Sequence, residues 1–221
     1  MMTRALLLLA AIILSSPTFF RADARALPGD STSALNRIAK RFTFNGYAQA
    51  GWEYHDLQSP SNDFALNKFI LMANMRVTDR CDAFAMVDFK GFSLHELWVS
   101  YTIQSWLRVK AGQFKTPFTI ENPISPAAIE LITQMSLATN YMIAGSSPYM
   151  MPAGAGRDIG ITVFGDIAHG RLTYDVALMN GNGRNKRDNN SQKDVVVRLS
   201  GQPVAGLTLS ASAVWGTGYI D

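Results

Sequence analysis

The feature that most constrains this chain is a two-residue alternation that begins at Phe42 and recurs as far as Trp215. Phe42, Phe44, Gly46, Ala48, Ala50, Trp52 and Tyr54 are apolar or small. Between them stand Thr43, Asn45, Tyr47, Gln49, Gly51 and Glu53. Successive side chains of a strand point to opposite faces, so this spacing builds a strand with one apolar and one polar side. The pattern returns in Phe69, Leu71, Ala73, Met75 and Val77, and in Ala83, Ala85, Val87 and Phe89. It returns again in Leu97, Val99, Tyr101 and Ile103, in Leu107, Val109 and Ala111, and in Ile159, Ile161 and Val163. Leu172, Tyr174, Val176 and Leu178, then Val195, Val197 and Leu199, then Leu207, Leu209, Ala211, Ala213 and Trp215 complete it. Nine strands are predicted. Most are near the ~9–11 residues that a tilted strand needs to cross a bilayer.

The charges test the choice of phase. Lys68 and Arg76 share a parity, as do Asp82, Asp88 and Lys90, Arg108 and Lys110, and Asp194 and Arg198. None falls on the apolar phase. A charge facing lipid costs up to ~2–4 kcal/mol at the bilayer midplane, which enforces such segregation. A soluble β-sandwich also segregates charge, but to its outside. Both readings survive the periodicity. The expected fold is all-β, an antiparallel up-and-down transmembrane β-barrel, with a soluble periplasmic β-sandwich binding module as the alternative.

Connection lengths favour the barrel. The predicted links 79–80, 104–105, 168–170 and 201–206 are short, and 55–63, 117–156 and 181–193 are long. Short periplasmic turns alternate with long outer loops in membrane barrels. Only the short link around 91–93 breaks the sequence.

The N-terminus fits export. Arg4 precedes an apolar run at 5–14, and Ala24-Arg25-Ala26 offers a small-x-small cleavage site. Residues 1–26 are expected to be a signal peptide and 27–41 a periplasmic linker. The run at 5–14 is about half the length of a membrane-spanning helix. The chain's net charge of +3 belongs to this end, because residues 42–221 hold 14 basic and 15 acidic side chains. A basic field for nucleic acid is therefore not expected.

Nothing points to an enzyme or a cofactor. Cys81 has no partner for a disulfide, and His55, His95 and His169 lack metal-ligand spacing. Gly181-Asn182-Gly183 resembles half of a phosphate-binding glycine fingerprint, but no helix pattern follows it. A hydrolase with an isolated Ser/His/Asn site is the remaining enzymatic reading.

The residues also carry a resemblance. Gly112-Gln113-Phe114-Lys115-Thr116-Pro117-Phe118, followed by Glu121-Asn122, is similar to a signature of the phosphate-selective porin O/P family. Gly156-Arg157-Asp158-Ile159-Gly160 resembles the point where that family resumes the barrel after its constriction loop. Gly170-Arg171-Leu172-Thr173-Tyr174, Asn180-Gly181-Asn182-Gly183 and Gln202-Pro203-Val204-Ala205-Gly206-Leu207 resemble its hairpins and turns. The resemblance implies a 16-stranded outer-membrane pore, usually trimeric, that contacts outer-membrane lipid and passes small anions such as phosphate or other hydrophilic solutes. Nine strands are odd in number, and Tyr219-Ile220-Asp221 lacks a terminal aromatic. Residues 42–221 are thus expected to form the N-terminal half of such a barrel.

Within that frame 117–156 is expected to fold into the lumen as a constriction loop, with a helix over 127–138 after Pro126. An exposed cap is the alternative. The candidate anion contacts are Lys115 and Arg157 at the two ends of the loop, with Arg108, Lys110, Lys68, Arg76 and Arg198 on the polar phase. Lys115 is equally expected to pair with Glu121 or Asp158. The polar phase offers six cations (Lys68, Arg76, Lys90, Arg108, Lys110, Arg198) against six carboxylates (Glu53, Asp88, Glu96, Asp158, Asp175, Asp194). Selectivity must therefore come from placement. Arg184, Lys186, Arg187 and Lys193 mark a basic outer loop, which solvation explains more simply than binding to lipid phosphates. Trp52, Tyr54, Tyr101, Tyr174 and Trp215 are candidates for interfacial girdles.

Overall fold

The structure is a computed structural model that describes residues 40–54, 62–125, 135–143, 156–168 and 170–216. The expected signal peptide, most of the linker, most of the 127–138 helix, His55, His169 and the C-terminal Tyr219–Asp221 lie outside the described residues.

All nine predicted strands are present: β1 (Phe42–Tyr54), β2 (Asn62–Arg76), β3 (Cys81–Asp88), β4 (Ser93–Gln104), β5 (Leu107–Lys115), β6 (Arg157–Ile167), β7 (Leu172–Met179), β8 (Asp194–Val204) and β9 (Leu207–Trp215). They form one antiparallel sheet in sequence order, each hydrogen-bonded to the next. Among the described residues no β9–β1 pairing closes this sheet into a barrel. A β-sandwich would divide its strands between two sheets, whereas here all nine described strands share one.

Several boundaries differ from those predicted. β2 begins at Asn62, inside the predicted 55–63 link, and β6 runs on to Ile167. β8 continues through Gly201 to Val204, where a turn was expected. A register shift between Gly201 and Val204 permits this. Pro203, which has no N–H to give, is accommodated at that irregularity. The turn shrinks to Ala205 and Gly206, the glycine taking a φ of 83°.

The chain divides into two compact units. One holds the described residues up to Ala73 together with 86–93, and the other holds 74–85 and 94–216. In the first, Phe44, Phe69 and Leu71 are exposed while Ile70, on the opposite phase, is buried. Phe69 and Phe89 meet at 5.6 Å between ring centroids.

In the second unit the faces are inverted relative to a water-soluble sheet. Leu97, Val99 and Tyr101 on β4, Val176 and Leu178 on β7, and Val195, Val197 and Leu199 on β8 are 37–53% exposed. Their neighbours on the other phase, Glu96, Ser100, Thr162, Ala177 and Val196, are at most 8% exposed. Register explains the coherence. Tyr101, Val109, Val163, Val176, Val197 and Ala213 occupy one continuous row across β4–β9, all on the outward phase. Among the girdle candidates Tyr54, Tyr101 and Trp215 are exposed. The Tyr174 hydroxyl donates to the Trp106 carbonyl at 2.8 Å, which ties in a further exposed tryptophan at the β4–β5 turn.

The covered side of this unit has a small core of Phe114, Phe118, Ile143, Ala177, Met179 and Val196. Phe118 and Ile143 come from the long segment after β5, so that segment packs on the sheet's charge-bearing phase. One short helix, α1 (Leu137–Ile143), is described there. Leu137 and Ala138 belong to the expected 127–138 helix, whose 127–134 part lies outside the described residues, and α1 runs on to Ile143. Ser136 sets its start: Ser136 Oγ accepts from the Thr139 N–H at 3.2 Å, an N-cap bond.

Candidate functional site

The charge-bearing face is built row by row by cross-strand register. One row runs Thr102, Arg108, Phe164, Asp175, Arg198 and Ser212 from β4 to β9. The next runs Ser100, Lys110, Thr162, Ala177, Val196 and Val214. Alternation and register thus gather in one row residues as far apart in the chain as Thr102 and Ser212.

Two of the cations on this side are neutralised. Arg198 donates from Nε and Nη2 to Asp175 Oδ2 at 3.0 and 2.8 Å, the pair facing each other across β7 and β8. Arg157 Nε donates to Glu96 Oε1 at 3.2 Å, with both side chains under 10% exposed. A buried pair of this kind is costly to break, because the survivor is left as an uncompensated charge.

Two others are not. Lys110 Nζ lies 5.1, 4.8 and 5.1 Å from the ring centroids of Trp98, Phe114 and Phe164. The Arg108 guanidinium lies 4.6 Å over Phe164, and its Nε is buried without a hydrogen-bond partner. Among the described residues neither makes an ion pair. Ring faces attract a cation through their quadrupole but leave its charge in place.

The long segment is fastened to this face at several points. The Thr116 N–H donates to the Gly156 carbonyl at 2.9 Å, and the Gly156 N–H to the Ile143 carbonyl at 3.1 Å. Asn122, fully buried, donates from Nδ2 to the Thr116 and Gly156 carbonyls at 2.7 and 2.8 Å. The Thr119 N–H donates to Ser212 Oγ at 3.1 Å, reaching β9 on its charge-bearing phase. Glu121 Oε2 accepts the Ser136 N–H at 2.7 Å and so ties the start of α1 to the segment's first half. That bond, helped by the hydroxyls of Ser136 and Thr139, holds the Glu121 carboxyl below the ordinary carboxylate range.

The predicted contacts therefore separate. Arg108 and Lys110 come together, neither of them in an ion pair among the described residues. Lys115 and Arg157 are register partners at the base of the long segment. Lys115 Nζ donates to the Ile124 carbonyl, rather than to the expected Glu121 or Asp158. Asp158 instead accepts the Ile159 and Gly181 N–H groups at 2.7 and 2.6 Å. Arg198 is committed to Asp175. Arg76 pairs loosely with Asp82 at 3.8 Å, both well exposed. Lys68 lies half-buried in the first unit.

In the basic loop Lys193 pairs with Asp188, whose carboxyl this contact lowers. Asn185 folds back on β5, its N–H donating to Gln113 Oε1 at 2.7 Å.

Sequence reasoning missed three things. It put no weight on Phe84, Trp98 and Phe164, although they break the polar phase with rings. It did not pair Glu96 with Arg157, 61 residues away. It gave no role to Asn122, a lone amide without a local signal.

No family model, characterised protein or solved structure matches the chain.

Proposed function

We propose that this sheet is part of an outer-membrane pore of the phosphate-selective porin O/P type, through which small hydrophilic solutes, anions foremost, diffuse passively. The observation that carries the reading is the inverted polarity of the second unit: a row of Val, Tyr and Ala outside, and charges, hydroxyls and a folded-in loop on the other side. In water an exposed apolar face of this extent is an aggregation liability. In a bilayer it is the face that lipid requires, and the polar face lines water. The long segment between β5 and β6 fits a constriction loop, because its described parts pack on the charge-bearing side. Closure of the barrel, and a trimeric form, belong to this reading as its consequences, since an open edge of unpaired backbone groups is costly in lipid.

The test is accessibility in native outer membranes. Single cysteines at Val99, Leu178 and Val197 should resist a water-soluble maleimide, while cysteines at Thr102, Arg198 and Ser212 react. Equal labelling of the two sets would end the membrane reading and return the soluble binding module to the front.

A further inference from the structure

The charge-bearing face carries rings where a water-lined wall ordinarily carries polar groups. Phe84 on β3 stacks on Trp98 on β4 at 5.2 Å and 28° between planes. Beside Trp98 comes Lys110, then Phe164, then Arg108 over that ring. Phe84, Trp98 and Phe164 are half-buried rather than sealed in the core. The carboxylates Glu96 and Asp175 are committed to Arg157 and Arg198. The patch therefore combines two cations that make no ion pair among the described residues with a partly exposed aromatic band.

That combination discriminates between kinds of anion. A compact inorganic anion would use the two charges and leave the rings wet. An anion with a flat apolar body uses both: its carboxylate meets Arg108 and Lys110, and its body covers ring surface, gaining burial and stacking. We infer that Arg108, Lys110, Trp98 and Phe84 form a binding patch for an aromatic monocarboxylate, with benzoate as the simplest member. The inference rests on the proposed pore for the route by which such a ligand arrives, and it narrows the solute class beyond small anions in general.

The probe ligands are benzoate, acetate and inorganic phosphate, titrated by calorimetry into the purified full chain in detergent micelles. Benzoate should bind at least tenfold more tightly than acetate or phosphate. Arg108→Gln and Lys110→Gln should each weaken benzoate about tenfold. Phe84→Leu should weaken benzoate several-fold while leaving acetate unchanged, and it keeps Lys110's own ring contacts intact should Trp98→Leu fail to fold. Equal affinity for the three anions, or benzoate binding indifferent to both Arg108→Gln and Phe84→Leu, would overturn the inference. Cysteine labelling of the two faces in outer membranes separates this from the pore itself. Selective benzoate binding with equal labelling of the two faces supports the patch and sinks the pore; face-selective labelling with no benzoate preference does the reverse.

Discussion

The fastening of the long segment offers a prediction whose size can be worked from geometry. Asn122 Nδ2 makes two buried hydrogen bonds, to the Thr116 and Gly156 carbonyls. At a net ~0.5–1.5 kcal/mol each, and with relief from losing an Oδ1 that is buried without a partner, Asn122→Ala should cost about 1–2 kcal/mol. Gly156 has a φ of 70°, and a Cβ built there would lie 2.8–2.9 Å from Asn122 Cγ and Nδ2. Gly156→Ala therefore carries about 1–2 kcal/mol of left-handed strain and about 1–3 kcal/mol of overpacking. The atoms that a Cβ would meet are the ones that Asn122→Ala removes. In the double variant the overpacking vanishes, and the total should be about 2–4 kcal/mol instead of the 3–7 that additivity gives. The coupling is then about 1–3 kcal/mol, read from urea unfolding in lipid vesicles by tryptophan fluorescence. Costs that add to within ~0.5 kcal/mol would show that Asn122 and Gly156 do not share this space, and the account of the fastening would fail with them.

Three further outcomes follow from other contacts. Glu96→Gln should destabilise the folded chain by about 1–3 kcal/mol by removing the buried carboxylate that accepts from Arg157 Nε, and Glu96→Gln with Arg157→Met should recover part of it in the same unfolding assay. Asp175→Asn should release Arg198 and move the reversal potential in a salt gradient towards anions, whereas Arg187→Glu in the outer loop should barely move it. Glu121 has a lowered folded pKa, so its tie to α1 is fully present above the ordinary value of about 4.3 and is lost as pH falls through the lower folded value. Amide hydrogen exchange at Ser136, corrected for its intrinsic pH dependence, should lose protection on acidification in that window, and should be unprotected and flat with Glu121→Gln.

What was legible in the sequence is what strand period and chemistry fix locally. Leu97, Val99 and Tyr101 alternate with Glu96, Trp98 and Ser100, and they emerge on opposite faces because a strand's side chains cannot do otherwise. Direction was legible at the short links 79–80, 104–105, 168–170 and 201–206, where a tight turn forces neighbours to pair antiparallel, whereas the pairing of β5 with β6 across the long segment has no such local cause. Element ends were less so. Pro203 reads as a turn residue, yet an irregularity in β8 absorbs it, and only the pairing partner Leu207 reveals that. The start of α1 had a usable signal in Ser136-Leu137-Ala138-Thr139, a cap hydroxyl three residues ahead of the N–H that donates to it, which a single helix read over 127–138 passed over. The fastening through Asn122 had none, because a buried amide satisfied by two carbonyls is defined by a fold and not by its neighbours in the chain.

The charge count shows most directly how placement makes a site. Six cations against six carboxylates on one phase predict no preference for either ion. Register divides that balance unequally: Asp175 is spent on Arg198 and Glu96 on Arg157, both at hydrogen-bonding distance. Arg108 sits in the row that holds Asp175 and Arg198, and Lys110 in the next, between the two pairs; rings hold both and orient a cation without cancelling it. In a narrow, partly dry lumen, charges ~4 Å apart at an effective dielectric near 20 interact by about 4 kcal/mol, and desolvation of the passing ion takes back much of it. A local excess of two cations is thus enough to bias a pore whose overall lumen charge is balanced. Lys110→Glu should accordingly reverse the ion preference, while Arg76→Glu, at an exposed and loosely paired position, should leave it nearly unchanged. Equal effects from the two would place selectivity in the summed field of the wall and remove the case for a localised site.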